Sequence, residues 1–98
     1  MTYRICLYSL PLGHAFYPRP CVVIDEKAVL LLPISSKAYH EHNHFVINDQ
    51  HPDFPATGLQ VTSYVFGAPI VQGCGERIIK DLGLIEGELA ERFREWIE

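Results

Sequence analysis

The run CVVIDEKAVLLLPI, residues 21–34, constrains this chain more than any other feature. It holds two nearly continuous apolar segments, CVVID (21–25) and AVLLLPI (28–34), parted only by Glu26 and Lys27. Each is strand-sized and far short of the roughly 18 apolar residues that a membrane span needs. Two such segments with so short a connection read as a β-hairpin. Continuous rather than alternating apolar character means burial on both faces. Other elements must therefore cover both sides of this hairpin. Pro33 marks an edge or the strand's exit, because proline gives no N–H to a ladder.

The rest of the chain supplies that cover. YRICLYSL (3–10), HFVIN (44–48) and LQVTSYVFG (59–67) are β-branched and aromatic, and read as strands; Gly67 and Pro69 then signal a bend. PIVQG (69–73) reads as a short strand, and ERIIKDLG (76–83) as one closed by Gly83. PLGHAFYPRP (11–20) reads as a loop stiffened by Pro11, Pro18 and Pro20, and DQHPDFPATG (49–58) as another. SSKAYHEH (35–42) is polar, either irregular or a short helical turn. Ile85, Leu89, Phe93, Trp96 and Ile97 recur at helical spacing, with Glu88, Glu91, Arg92, Arg94 and Glu95 between them. This predicts an amphipathic helix with acids near its start, where the helix dipole favours them. About six or seven short strands and one terminal helix predict a single mainly β domain over residues 1–98, a strongly bent sheet or small barrel with the helix packed on it.

Composition narrows the function classes. A hydrophobic fraction of 48%, with five Phe, five Tyr and one Trp, is enough to fill a core and argues against disorder. The net charge of −4 argues against nucleic acid until its distribution is considered. Residues 81–98 carry six acids (Asp81, Glu86, Glu88, Glu91, Glu95, Glu98) against Arg92 and Arg94, while residues 1–80 are balanced. The body can therefore present a local cationic patch. No basic segment followed by an apolar stretch opens the chain, so no signal peptide is expected. Cys6, Cys21 and Cys74 are odd in number and form no CxxC pair, which fits reduced thiols in a cytoplasmic protein.

Three constellations carry possible chemistry. His40, His42 and His44 alternate, with His51 nearby. On one strand face they either converge on a metal or stand solvated, and three in a row splay rather than cage an ion, so no metal and no cofactor is expected. Ser35, Ser36 and Lys37 follow the buried hairpin; hydroxyls and a cation at a strand exit hold a phosphate oxygen or merely form a turn. His14 and Arg19 share the proline-rich stretch. Histidine exchanges a proton near neutral pH, and arginine neutralises a phosphoryl group. Either these two act on one substrate across a groove, or both are solvated on a well-ordered turn. GCGE (73–76) is too short for a phosphate-binding loop and reads as a turn.

The order of GHAFYPRPCVVI, LLLPISS, GLQVTSYVF and IIKDLGLIEGELAERFREWI resembles the PemK/MazF family of toxins from type II toxin–antitoxin systems. The likeness runs from about Tyr3 to Ile97 and rests on several short motifs in sequence. It implies an SH3-like barrel with a terminal helix, a homodimer, an antitoxin protein partner and no membrane association. It also implies a metal-independent endoribonuclease that cleaves single-stranded mRNA by attack of the 2′-OH on the adjacent phosphorus. Residue by residue, Arg19 matches the family's Arg-Pro arginine. Ser35 matches the hydroxyl residue after the second buried strand, with Ser36 one position on. His14 matches a loop histidine used by some members. These three form the catalytic expectation, with Ser36, Lys37 and Tyr17 (or Phe16) expected to hold phosphate or stack on a base. Some members carry an Arg and an Asp on the strand after the Gly-Leu segment; here Phe66 and Ala68 stand about there. Two other readings remain open: a gyrase-poisoning toxin of the CcdB type, which uses its helix end and so would turn on Trp96, and a barrel that only binds RNA or protein.

Overall fold

The computed structural model describes residues 1–38, 43–68 and 70–98. Among these residues seven strands precede one helix: β1 (Tyr3–Leu12), β2 (Ala15–Asp25), β3 (Leu30–Ser35), β4 (His44–Ile47), β5 (Ser63–Phe66), β6 (Val71–Gln72), β7 (Ile78–Ile85) and α1 (Gly87–Ile97). Every pairing is antiparallel, in the order β4-β5-β3-β2-β1-β7, with β6 added on β3. The mainly β architecture with a terminal helix is as the sequence predicts. No helix of the described residues is long and apolar enough to cross a membrane. Ile85, which fits the helical spacing, instead ends β7 and is fully buried there.

The β2–β3 hairpin is buried on both faces, as its continuous apolar character requires. Cross-strand partners share a face. Ile5, Val22 and Leu32 are mutual partners across β1, β2 and β3, and all join one core cluster with Ile85, Leu89, Ala90 and Phe93. Their neighbours Cys6, Cys21, Val23 and Leu31 join a second cluster on the opposite face, covered by Tyr8, Val71 and Ile78. The helix and β4–β5 thus cover one side, and the 71–78 segment crosses the other. The thiol of Cys21 is pushed up to about 12 by its burial, with Cys6 beside it adding a smaller push.

The stretch 11–20 corrects its sequence reading. It is not a loop but the distal half of the long β1–β2 hairpin, closed by a two-residue turn at Gly13 and His14. Gly13 has φ +65° and His14 does not enter the positive region, the pattern of a type II′ turn. Pairs alternate between hydrogen-bonded and open along an antiparallel ladder, starting from the bonded pair Leu12–Ala15 at the turn. Pro11, Pro18 and Pro20 then all fall in open pairs, with Phe16, Ser9 and Leu7. The β1–β2 ladder asks no N–H of any of them. Prolines that mark a loop by composition are here compatible with a strand by register.

Those prolines still act, on the other side of β2. Beyond Cys21–Pro33, the next bond to β3 would need the N–H that Pro20 lacks. The ladder ends there. β3 turns away and pairs β5 instead, Ile34 with Val65 and Ser35 with Tyr64. A gap opens between β2 and the end of β3.

The loop before β5 is fixed over that gap by a backbone contact. A Cβ on Gly58 (φ +73°) would lie 2.0 Å from the Leu82 carbonyl oxygen, so the 3-10 turn Pro55–Thr57 packs directly on β7 only because residue 58 is glycine. Further upstream, the Asp53 carboxylate accepts the Leu89 N–H at 3.3 Å and caps α1 from outside the helix. His51, largely buried, accepts the Asp53 N–H at Nδ1 (3.0 Å) and places Nε2 3.4 Å from Glu88. This cluster ties the 49–58 loop to the helix start.

Candidate functional site

Arg19 and Ser35 are distant in sequence and adjacent in the fold. Continuing the Cys21–Pro33 register by two residues sets Arg19 opposite Ser35, where the strands have parted. A cavity of about 220 Å³ lies in the gap, lined by Arg19, Ser35, Ser36, Gln60, Val61 and Ser63 among others. Among the described residues its lining includes no carboxylate and no imidazole.

The polar groups have defined roles. The exposed Arg19 guanidinium makes no hydrogen bond or ion pair among the described residues, so its donors are open to a ligand. The Ser35 hydroxyl oxygen accepts the Lys37 N–H at 3.1 Å, which fixes the hydroxyl and leaves its hydrogen to donate. Ser63, nearly buried, donates to the Val61 carbonyl at 2.8 Å and holds the far wall in place. Thr62 accepts the Asp49 N–H at 3.0 Å and steadies the same wall from behind. A fixed cation, several hydroxyls and one amide, with no acid among the described lining residues, suit an anion.

The other residues singled out by the sequence lie elsewhere. His14 sits in the hairpin turn, five positions from Arg19 and therefore roughly 16 Å along the strand. One chain does not bring the two together, contrary to the expectation of a shared groove. Tyr17 lies on the same face of β2 as Arg19, two positions toward the turn, and is 48% exposed, beside the cavity rather than in it. Lys37 is exposed just beyond Ser36 and makes no ion pair among the described residues.

His44 opens β4 and stands edge-on to Tyr64 at 5.2 Å and to Phe66 at 6.5 Å. His40 and His42 lie outside the described residues, and no group of three potential metal ligands occurs among the described ones. Phe66 belongs to this aromatic cluster, at about the place where some members of the resembled family carry a charged residue. Trp96 is packed against Phe45 and Phe93, and its indole N–H donates to Asn43 at 3.1 Å.

Gln60 and Ser63 escape a reading by residue type. Their only signal is position, shortly after Gly58 and at the head of a strand. Comparison with protein-family models and with curated proteins found no match.

Proposed function

We propose that this protein is a toxin of the type II toxin–antitoxin kind, built on an SH3-like barrel, that cleaves single-stranded RNA at the Arg19–Ser35 cavity. The observation that carries this reading is the convergence of Arg19 and Ser35, with Ser36 beside them, on one cavity whose described lining holds no acid; Arg19 and Ser35 are two of the three catalytic residues that the PemK/MazF resemblance implies, and the third, His14, lies outside it. The chemistry follows from the groups present. The RNA 2′-oxygen attacks the adjacent phosphorus in line, the bond to the 5′-oxygen breaks, and the products are a 2′,3′-cyclic phosphate and a 5′-hydroxyl. Charge builds on the non-bridging oxygens of the phosphorane. The Arg19 guanidinium offers two parallel donors to them, and the Ser35 and Ser36 hydroxyls offer one each. No metal ion has a part in these steps. The described lining residues supply no carboxylate or imidazole base, so the 2′ proton passes to solvent, and solvent protonates the leaving oxygen. Tyr17 and Lys37 flank the cavity for a neighbouring base and phosphate.

The reading brings with it a cytoplasmic homodimer and an antitoxin protein partner, both resting on the resemblance. Light scattering on the purified chain checks the first, since a monomer mass contradicts it. A second reading, in which the barrel binds RNA without cutting it, is favoured by the distance of His14 from the cavity. The CcdB-type reading is disfavoured, since Trp96 is engaged in packing and in a hydrogen bond to Asn43.

Single-turnover cleavage of a mixed-sequence RNA in excess EDTA separates these readings. Wild type cleaves, Arg19→Ala cleaves about 10²–10³-fold more slowly, as loss of an oxyanion donor does, and His14→Ala stays within about twofold. Circular dichroism controls for folding. No cleavage by the folded wild type leaves binding alone, and full activity in Arg19→Ala removes the cavity from the reaction.

A further inference from the structure

A second cleft lies between the β1–β2 hairpin and the 71–77 segment. It measures about 290 Å³, at the small end of pockets that take organic ligands, and Tyr8, Phe16, Gln72, Gly73, Cys74 and Arg77 contribute to its walls. Its main feature is a stack. The Arg77 guanidinium carbon lies 4.0 Å from the centre of the Phe16 ring. Phe16 is 52% exposed. Arg77 is also exposed and makes no ion pair among the described residues. The guanidinium carbon stands over the ring, and the Arg77 side chain is exposed to solvent.

The floor of the cleft offers polar groups with free valences. The Tyr8 hydroxyl accepts the Cys74 N–H at 2.9 Å, which leaves its own hydrogen to donate. The Gln72 side-chain nitrogen donates to the Ala28 carbonyl, which leaves its oxygen to accept. A Cβ on Gly73 would lie 2.8 Å from the Tyr8 hydroxyl oxygen, so only glycine keeps that hydroxyl clear. A planar guanidinium sharing a cleft with one free donor and one free acceptor suits a planar heteroaromatic ring with polar edges.

We infer that this cleft binds an unstacked nucleobase of single-stranded RNA, which stacks on the exposed guanidinium of Arg77 while Phe16 holds the guanidinium in place. The inference deepens the proposed function and rests on it for the identity of the ligand. Unpaired RNA bases are held in this way, on aromatic rings or arginine planes, with their edges hydrogen-bonded. Location supports the assignment. Tyr8 is the cross-strand partner of Arg19, and Phe16 is three positions from Arg19 on β2, about 10 Å along the strand. A strand whose phosphate sits at Arg19 can place a nearby base on Arg77. Arg77 is the binding residue, and Phe16 is a positioning residue that acts through it.

The test uses a short single-stranded 2′-O-methyl oligonucleotide, uncleavable because its 2′-oxygen is blocked, with 2-aminopurine as the reporting base. Stacking quenches its fluorescence. Wild type binds and quenches. Arg77→Lys keeps the charge but loses the plane; it binds about tenfold more weakly and loses most of the quenching. Phe16→Leu weakens binding less, and Phe16→Trp restores it. Arg19→Ala weakens binding but keeps the quenching at saturation. Wild-type binding and quenching in both Arg77→Lys and Phe16→Leu overturn the base site. If Arg19→Ala alone binds weakly in that experiment, the phosphate site survives. If wild type binds no oligonucleotide, both readings fall together.

Discussion

Arg19 faces an open gap because of its two neighbours. Pro18 and Pro20 deny β3 a ladder on that side of β2, so the side chain between them meets a gap and not a strand. The residue types of the site are legible in the sequence: an Arg-Pro opening a buried strand, and serines closing the next. Their adjacency is not, because it depends on the Cys21–Pro33 register, which no local pattern reveals. His14 shows the converse. Its residue type invites a catalytic role, and the geometry of a two-residue turn removes it from the cavity. Two positions beyond Arg19, Cys21 makes a separate prediction. Its thiol is raised from about 9 to about 12 by burial, so it stays neutral in the folded chain while the unfolded chain ionises. Unfolded molecules then bind fewer protons than folded ones between those values, and stability falls as pH rises through that window. The slope reaches at most about 1.4 kcal/mol per pH unit for this thiol. Cys6, also raised by burial, adds in the same direction. Urea denaturation between pH 7 and 10.5 should show a plateau and then a decline above about pH 9, shallower in Cys21→Ala. A wild-type curve with no decline would contradict the burial of this pair.

Strand identity is most legible where burial is two-sided. The segments 21–25 and 28–34 are strands as their apolar runs predict, with the second beginning two residues later than its run. The stretch 11–20 is misread by composition, because three prolines signal a loop unless the register is known. β5 is shorter than its sequence run, Ser63–Phe66 rather than 59–67. Residues 59–62 are drawn out of the sheet to form the wall of the cavity. Gly58 is the device that holds them there, since its backbone touches Leu82 where no side chain fits. Gly58→Ala should therefore cost about 2–4 kcal/mol, from the left-handed φ and the forced separation from β7 combined. Thermal unfolding reads this as a fall of roughly 10–25 °C in a domain of this size. An unchanged melting temperature would mean that the turn does not pack on β7 as described.

At the scale of the whole molecule, a central β1–β2–β3 sheet is covered on one face by the helix with β4–β5 and on the other by the 71–78 segment. The first cover was legible from the helical stripe of Leu89, Phe93 and Trp96. The second was not, because GCGE and ERIIKDLG carry no clear period, and so Arg77 drew no notice. Each cover leaves an opening beside β2: the Arg19 cavity where β3 departs, and the Phe16–Arg77 cleft where the crossing segment meets the hairpin. The proposed RNA strand crosses this region and leaves the end of α1, with Trp96, out of contact. Backbone amide shifts in ¹H–¹⁵N spectra, recorded during titration with a short uncleavable single-stranded oligonucleotide, test that placement directly. The account predicts shifts at Arg19, Ser35, Ser36 and residues 59–63, and their loss in Arg19→Ala. Shifts concentrated at Arg94–Glu98, with none at Arg19 or Ser35, would contradict it.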